Sequence, residues 1–161
     1  MTPDVLLAAK GLGGGMPIGA FISSQIIMHC LTHDPILGHI STFGGHPVSS
    51  AAARATTEIL KDSGLIEQVE AKSKLFLSLL SHDKIIAVRS KGLMIAVQFE
   101  SFDILKAIID HLLDNGILTD WFLFCDDAMR IAPPLIITEE EIKKACKSIL
   151  QAIDFVYAED A

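Results

Sequence analysis

The sequence has no apolar run approaching the ~20 residues that cross a bilayer as a helix. Its longest candidate, residues 93–99, is broken by Gln98, so a membrane-spanning helix is not expected. Cysteine is scarce: Cys30, Cys125 and Cys146 are odd in number and widely spaced. No disulfide framework is expected from them, and the reading is a reducing, cytoplasmic compartment. The opening Met-Thr-Pro-Asp has neither the basic region nor the apolar stretch of a secretory signal. Positive charge is short as well. Thirteen Lys plus Arg against twenty Asp plus Glu leave a formal charge of −7, which repels a phosphate backbone and argues against nucleic acid as a partner. What is plentiful is apolar: 50% of the 161 residues are hydrophobic and 20% charged, with a mean hydropathy of +0.45. That is too apolar for disorder and sufficient for one domain, or one and a half, around a buried core. It also implies apolar surface that a partner subunit or further sequence would cover.

Along the chain, residues 5–9 form a short apolar run that ends at Lys10, and a glycine cluster follows at Gly11, Gly13, Gly14, Gly15 and Gly19. This predicts a strand entering a tight loop. Residues 20–23 read as a second strand, residues 24–31 as a short helix and residues 33–46 as loop. Pro47 opens a helix of small residues that should stop at Ser63-Gly64. A stripe of Ile66, Val69, Ser73, Phe76 and Leu80 then predicts a core-facing helix.

Residues 85–89 and 93–99 read as a hairpin around Ser90-Lys91-Gly92. Residues 101–115 read as a helix buried through Leu105, Ile108, Ile109, Leu112 and Leu113, with Gly116 as its left-handed cap. Strands are expected over 117–124 and 129–132, closed by Pro133-Pro134. Thr138 and Glu141 form a capping box for a last helix, whose stripe is Ile142, Ala145, Cys146, Ile149, Leu150 and Ile153. The fold class is thus α/β to α+β, with a seam after residue 61.

Three segments could carry chemistry. In residues 9–20 a lysine ends an apolar strand and is followed by residues without side chains, which presents an amine to something large and flat that must approach the backbone closely. A carbonyl cofactor suits that arrangement; a mobile loop with a solvated lysine is the alternative. A P-loop is excluded because its lysine follows the glycines, and the dinucleotide fingerprint is excluded because Met16 stands at its third glycine. In residues 40–47, Ser41, Thr42, Gly44 and Gly45 precede a helix, which suits a phosphate or a helix-capping turn. In residues 129–135, Arg130 sits in an apolar strand and must snorkel, form a surface salt bridge or take a substrate carboxylate on its planar fork.

These segments, in this order, resemble the class III (ornithine/acetylornithine/4-aminobutyrate type) pyridoxal-phosphate aminotransferases. The match runs through Pro3-Asp4, Ala9-Lys10-Gly11-Leu12-Gly13-Gly14-Gly15, Ser41-Thr42-Phe43-Gly44-Gly45, Arg89-Ser90-Lys91-Gly92-Leu93-Met94 and Arg130-Ile131-Ala132-Pro133-Pro134-Leu135. It departs at His46, where the family usually has Asn, and at Ser90, where Gly is common.

The resemblance implies that Lys10 is the catalytic Schiff-base lysine for pyridoxal phosphate (PLP). It implies that Thr42, with Ser41 beside it, binds the cofactor phosphate across a homodimer interface, and that Arg130 holds the substrate α-carboxylate. It further implies that residues 1–61 are the C-terminal end of a fold-type-I PLP-binding large domain, with parallel-type strands whose edges are left unpaired, and that residues 62–161 are a small C-terminal domain with antiparallel sheet and helices. The expected activity is amino transfer between an amino acid or ω-amine and a 2-oxo acid, with amino and oxo acids as small-molecule partners. Family members are longer, and the segments that first grip the phosphate, stack on the ring and pair with the pyridine nitrogen precede the lysine. The isolated chain is therefore expected to be inactive, or a catalytically inactive, dimerising structural fragment.

No metal is expected. His29 and His33 have ligand spacing, but Pro35 and a thin helical signal argue against a site. Cys125, beside Asp126 and Asp127, should be a poor nucleophile because neighbouring acids raise a thiol's pKa. Cys146 should be core, and Trp121 should pack in the core or at a subunit contact.

Overall fold

The computed structural model describes residues 2–159 and divides into two compact units, Met1–Gly64 and Leu65–Ala161. In the first, β1 (Val5–Ala8) and β2 (Ala20–Ser23) pair with Val5 opposite Ser23 and Ala8 opposite Ala20. The pairing is antiparallel, which corrects the expectation of parallel-type strands. A parallel pair needs a crossover of about a dozen residues or more, usually helical, and residues 9–19 instead fold into tight successive turns.

Ser24 caps α1 (Gln25–Met28), its hydroxyl accepting from the Ile27 N–H at 3.4 Å, and a separate 3-10 turn covers His29–Leu31. The helix expected over 24–31 is thus two short pieces. α2 (Pro47–Asp62) starts on its proline and stops before Ser63-Gly64, as the sequence predicts. Among the described residues of this unit only Gly13, Ser49 and Ala53 are buried, while Leu7, Ile22, Ile26, Ile36 and Phe43 are exposed.

The second unit is a four-stranded antiparallel sheet in the order β3-β4-β6-β5, built from β3 (Ala87–Lys91), β4 (Met94–Gln98), β5 (Asp120–Phe122) and β6 (Cys125–Ile131). Its core also draws on α3 (Leu65–Leu79), α4 (Phe102–Asp114) and α5 (Glu139–Glu159). Alternation decides the faces: Ile95 and Val97 lie opposite Ile131 and Met129, and all four are buried together with Phe76, Leu112 and Ile142.

Several boundaries move from expectation. The hairpin between β3 and β4 turns on Gly92-Leu93, not Ser90-Lys91-Gly92, because Lys91 still pairs with Met94. Gly92 supplies the positive φ of 57° that a two-residue hairpin asks for at its first position, and an added Cβ there would come within 2.7 Å of Val69. β5 is cut to three residues by a register shift between Trp121 and Phe122, and β6 starts at Cys125. Ile66 and Leu113 are exposed. Leu113 follows Leu112 by one residue, about 100° around the helix, and so leaves the buried stripe.

The capping box of α5 forms as the sequence predicts: the Glu141 carboxylate accepts from the Thr138 N–H at 2.8 Å, and the Thr138 hydroxyl accepts from the Glu141 N–H at 3.2 Å. The Thr138 N–H, and next the Thr138 hydroxyl, hold the Glu141 carboxyl below its ordinary pKa. A lowered folded-state pKa gives stability that is present above the unfolded value and is lost as pH falls through the folded one. Glu141→Ala should therefore lower the thermal midpoint at neutral pH, and the gap from the native chain should close in acid below that folded-state pKa. Thermal melts across a pH series check this.

Candidate active site

Lys10 stands at the end of β1 and opens the 3-10 turn Lys10–Gly13. Its backbone holds φ at 51°, a left-handed conformation that costs a side-chain-bearing residue roughly 1–2 kcal/mol and that recurs at functional positions. The side chain is exposed. Turn hydrogen bonds from Leu12 to Ala9, Gly14 to Gly11 and Met16 to Gly13, at 3.0–3.2 Å, shape the loop behind it.

The glycines differ in what they do. At Gly14 (φ 55°) a Cβ would stand 2.1 Å from the Thr56 hydroxyl oxygen of α2, and that hydroxyl is held by the Ala52 carbonyl at 2.9 Å. Here the loop backbone lies directly against the helix. At Gly11 and Gly15 a Cβ would meet nothing within 4 Å, which leaves open ground beside Lys10.

Ser41 and Thr42 lie on an exposed turn closed by Gly44 N–H to the Ser41 carbonyl at 3.1 Å and His46 N–H to the Phe43 carbonyl at 3.2 Å. The N-cap of α2 is His46, with no side-chain cap hydrogen bond, so neither hydroxyl serves as the helix cap that the sequence left open. Among the described residues, no hydrogen bond or ion pair joins Lys10 to Ser41 or Thr42.

Arg130 belongs to the other unit. It projects from β6 on the face opposite the core, in the row where Ala96 and Asp120 flank it. Its Nε–H donates to Asp120 Oδ1 at 2.7 Å, and its Nη2–H donates to Asp120 Oδ2. Of the three possibilities open in the sequence, the salt bridge is the one seen. Asp120 is the residue that sequence reasoning missed: it lies ten positions upstream, and only the β5–β6 register brings it opposite.

Arg130 also lines a largely apolar cavity of about 300 Å³ with Phe76, Leu118, Pro133 and Ile149. The Lys72 ammonium donates to the Leu135 carbonyl at 2.6 Å, tying the segment that follows Arg130 to α3.

A polar network sits nearby on the same sheet. The Cys125 thiol donates to Asp127 at 3.2 Å, Gln98 donates to the other Asp127 oxygen at 2.8 Å, and Arg89 donates to Gln98 at 2.5 Å. The hydrogen bond to Asp127 pushes the Cys125 thiol up, while hydrogen bonds from Gln98, then Cys125, pull Asp127 down. Asp127, not Asp126, is the acid that quiets this thiol. Burial pushes Cys146 up to about 11, and Trp121 packs edge-on against Phe102, centroids 5.2 Å apart. Among the described residues, no cluster of three or more metal-ligating side chains occurs and no helix is long and apolar enough to cross a membrane.

With this geometry in view, comparisons with known proteins give a consistent result. The family model described as aminotransferase class-III matches residues 1–153. The acetylornithine aminotransferase of Mycobacterium leprae is 39% identical over 99% of this chain and 39% of its own length. The putrescine aminotransferase of Pectobacterium atrosepticum is 36% identical over 96% of this chain and 35% of its own. A solved ornithine aminotransferase from Toxoplasma gondii superposes with a TM-score of 0.86 at 32% identity, covering 98% of this chain and 38% of that one. A further structure of that enzyme has partial occupancy of PLP at its active site. The chain therefore spans about two-fifths of the length of the relatives it matches, and its α/β fold is the one those enzymes share.

Two outcomes follow. Gly14→Ala should destabilise by about 1–3 kcal/mol, from backbone strain plus the contact with Thr56, while Gly11→Ala should stay within about 0.5 kcal/mol; denaturant melts compare them. Asp127→Asn should speed alkylation of Cys125 near neutral pH by weakening the hydrogen bond that holds the thiol and removing the negative charge that disfavours the thiolate, read by mass-resolved iodoacetamide labelling with exposed Cys30 as internal reference.

Proposed function

The chain belongs to the class-III aminotransferases, and on that premise we propose that it supplies the reactive lysine, the phosphate-binding hydroxyls and a carboxylate-binding arginine to an enzyme moving an amino group between an amino acid or ω-amine and a 2-oxo acid. Residues 1–61 are read as the end of the cofactor-binding large domain and residues 62–161 as the small C-terminal domain. The working assembly is read as a cytoplasmic homodimer.

The observation that carries the proposal is Lys10: an exposed amine on a left-handed backbone, at the mouth of a glycine loop whose Gly11 and Gly15 leave room for a flat ring to approach the main chain. These residues fit pyridoxal phosphate. Lys10 would hold it, with the Ser41 and Thr42 hydroxyls of the other copy in the homodimer donating to its phosphate across the interface. When bound, the cofactor supplies the electron sink for the carbanion formed at the substrate's Cα.

The chain's own work is then of three kinds. Lys10, as a free amine, would take the proton from the substrate's Cα and deliver it to the cofactor's C4′ carbon, the positioned acid–base role that contributes typically 10²–10⁴-fold in rate. Arg130 orients the substrate through its carboxylate, which fixes the direction of the Cα–H bond. The largely apolar cavity beside Arg130 offers its lining to the side chain of the bound acid.

The test is to mix the chain with pyridoxal phosphate, reduce with borohydride and map the product by peptide mass. A single stoichiometric adduct at Lys10, absent in Lys10→Ala, is the expected result. Labelling scattered over Lys61, Lys84, Lys91 and the other lysines, or none, would leave the chain a structural, non-catalytic piece of the family fold.

A further inference from the structure

Asp120 grips only one edge of Arg130. The guanidinium has five N–H donors in a fixed plane, and Asp120 engages Nε and Nη2 side-on. No hydrogen bond or ion pair engages Nη1 among the described residues, so the outer Nη1/Nη2 edge keeps a full bidentate face. Arg130 lines the neighbouring cavity and Asp120 does not.

The grip is built into the sheet. Asp120 and Arg130 are register partners on β5 and β6, and Thr119, one residue before, donates its hydroxyl to the Arg130 carbonyl at 2.7 Å, locking the strands at that point. The two side chains are each about half exposed, at 43% and 48%. As a stability device such a pair is worth little.

We propose that Asp120 is a positioning residue for substrate recognition: it holds the Nε/Nη2 edge so that the Nη1/Nη2 edge of Arg130 is presented, already ordered, to the carboxylate of the amino or oxo acid. The inference rests on the reading of Arg130 as the carboxylate-binding residue. A free arginine loses rotamer freedom on binding; one pinned in advance has already lost it. Repulsion between the two carboxylates, on opposite edges and open to water, is screened over ~8 Å at physiological ionic strength. Asp120 is therefore retained in the bound state rather than displaced.

The experiment is a titration of the whole chain, labelled with ¹⁵N-arginine, with 2-oxoglutarate at 0.15 M salt, with Arg130 signals assigned by their loss in Arg130→Lys. The expected result is that the Arg130 Nη resonances move while its Nε–H stays at its paired position. Asp120→Ala should weaken binding roughly three- to tenfold, the cost of ordering one long side chain at binding. Asp120→Glu should recover most of that loss, which a merely structural role would not produce. Asp120→Asn, which keeps an acceptor of the same shape, should fall between the two and guards against loss of β5 in the alanine variant.

Movement of Nε–H away from its paired position on binding, or tighter binding by Asp120→Asn or Asp120→Ala, overturns the proposal, since Asp120 would then be a competitor. Arg130 signals indifferent to 2-oxoglutarate in every chain would instead remove Arg130 from carboxylate binding, a failure of the underlying reading that this measurement tells apart.

Discussion

Most of what surrounds Arg130 depends on the register in which β4 meets β6. Ile95 faces Ile131 and Val97 faces Met129, and these four side chains enter the core. Because side chains alternate across a strand, the same register sends Ala96 and Arg130 to the opposite face. A slip of β6 by one residue would bury the guanidinium and expose Met129 and Ile131, and an unpaired buried charge costs several kcal/mol. The apolar core thus sets the orientation of the charged residue, and it does so on a rigid element. Asp120 inherits its place from the next register along, where β5 pairs with β6.

In the Lys10 unit the constraint is of another kind. Few of its side chains are buried, and β1, β2 and the segment after α1 expose large apolar residues such as Leu7, Phe21 and Ile36. Its glycine loop is shaped less by burial than by turns, by the left-handed Gly14 and Lys10, and by the contact of Gly14 with Thr56 on α2. The exposed apolar surface fits the high mean hydropathy of the sequence.

Much of this was legible beforehand where local chemistry is sufficient. The Thr138/Glu141 capping box, the proline start of α2, the Gly116 cap (φ 77°) and the buried stripe of α5 all read directly from spacing, and all are present. The motifs around Lys10, Ser41-Thr42 and Arg130 were visible because their residue types are unusual where they occur. Strand ends and turns were less legible: Gly92-Leu93 turns the hairpin because pairing persists to Lys91, and β5 ends early because of a register irregularity at Trp121. The antiparallel pairing of β1 and β2 was likewise hidden, since an apolar run does not state its partner's direction.

By itself the sequence determined the helices and their caps, the glycine loop behind a lysine, and an arginine in an apolar strand, because periodicity, backbone φ and side-chain chemistry act within a few residues. Only the tertiary structure decided that Asp120 meets Arg130, that Gln98 reaches Asp127, and that Gly14 must be bare against Thr56. Those pairings join residues that are distant along the chain or on separate elements, and cross-strand register and helix packing, which no local spacing encodes, bring them into contact.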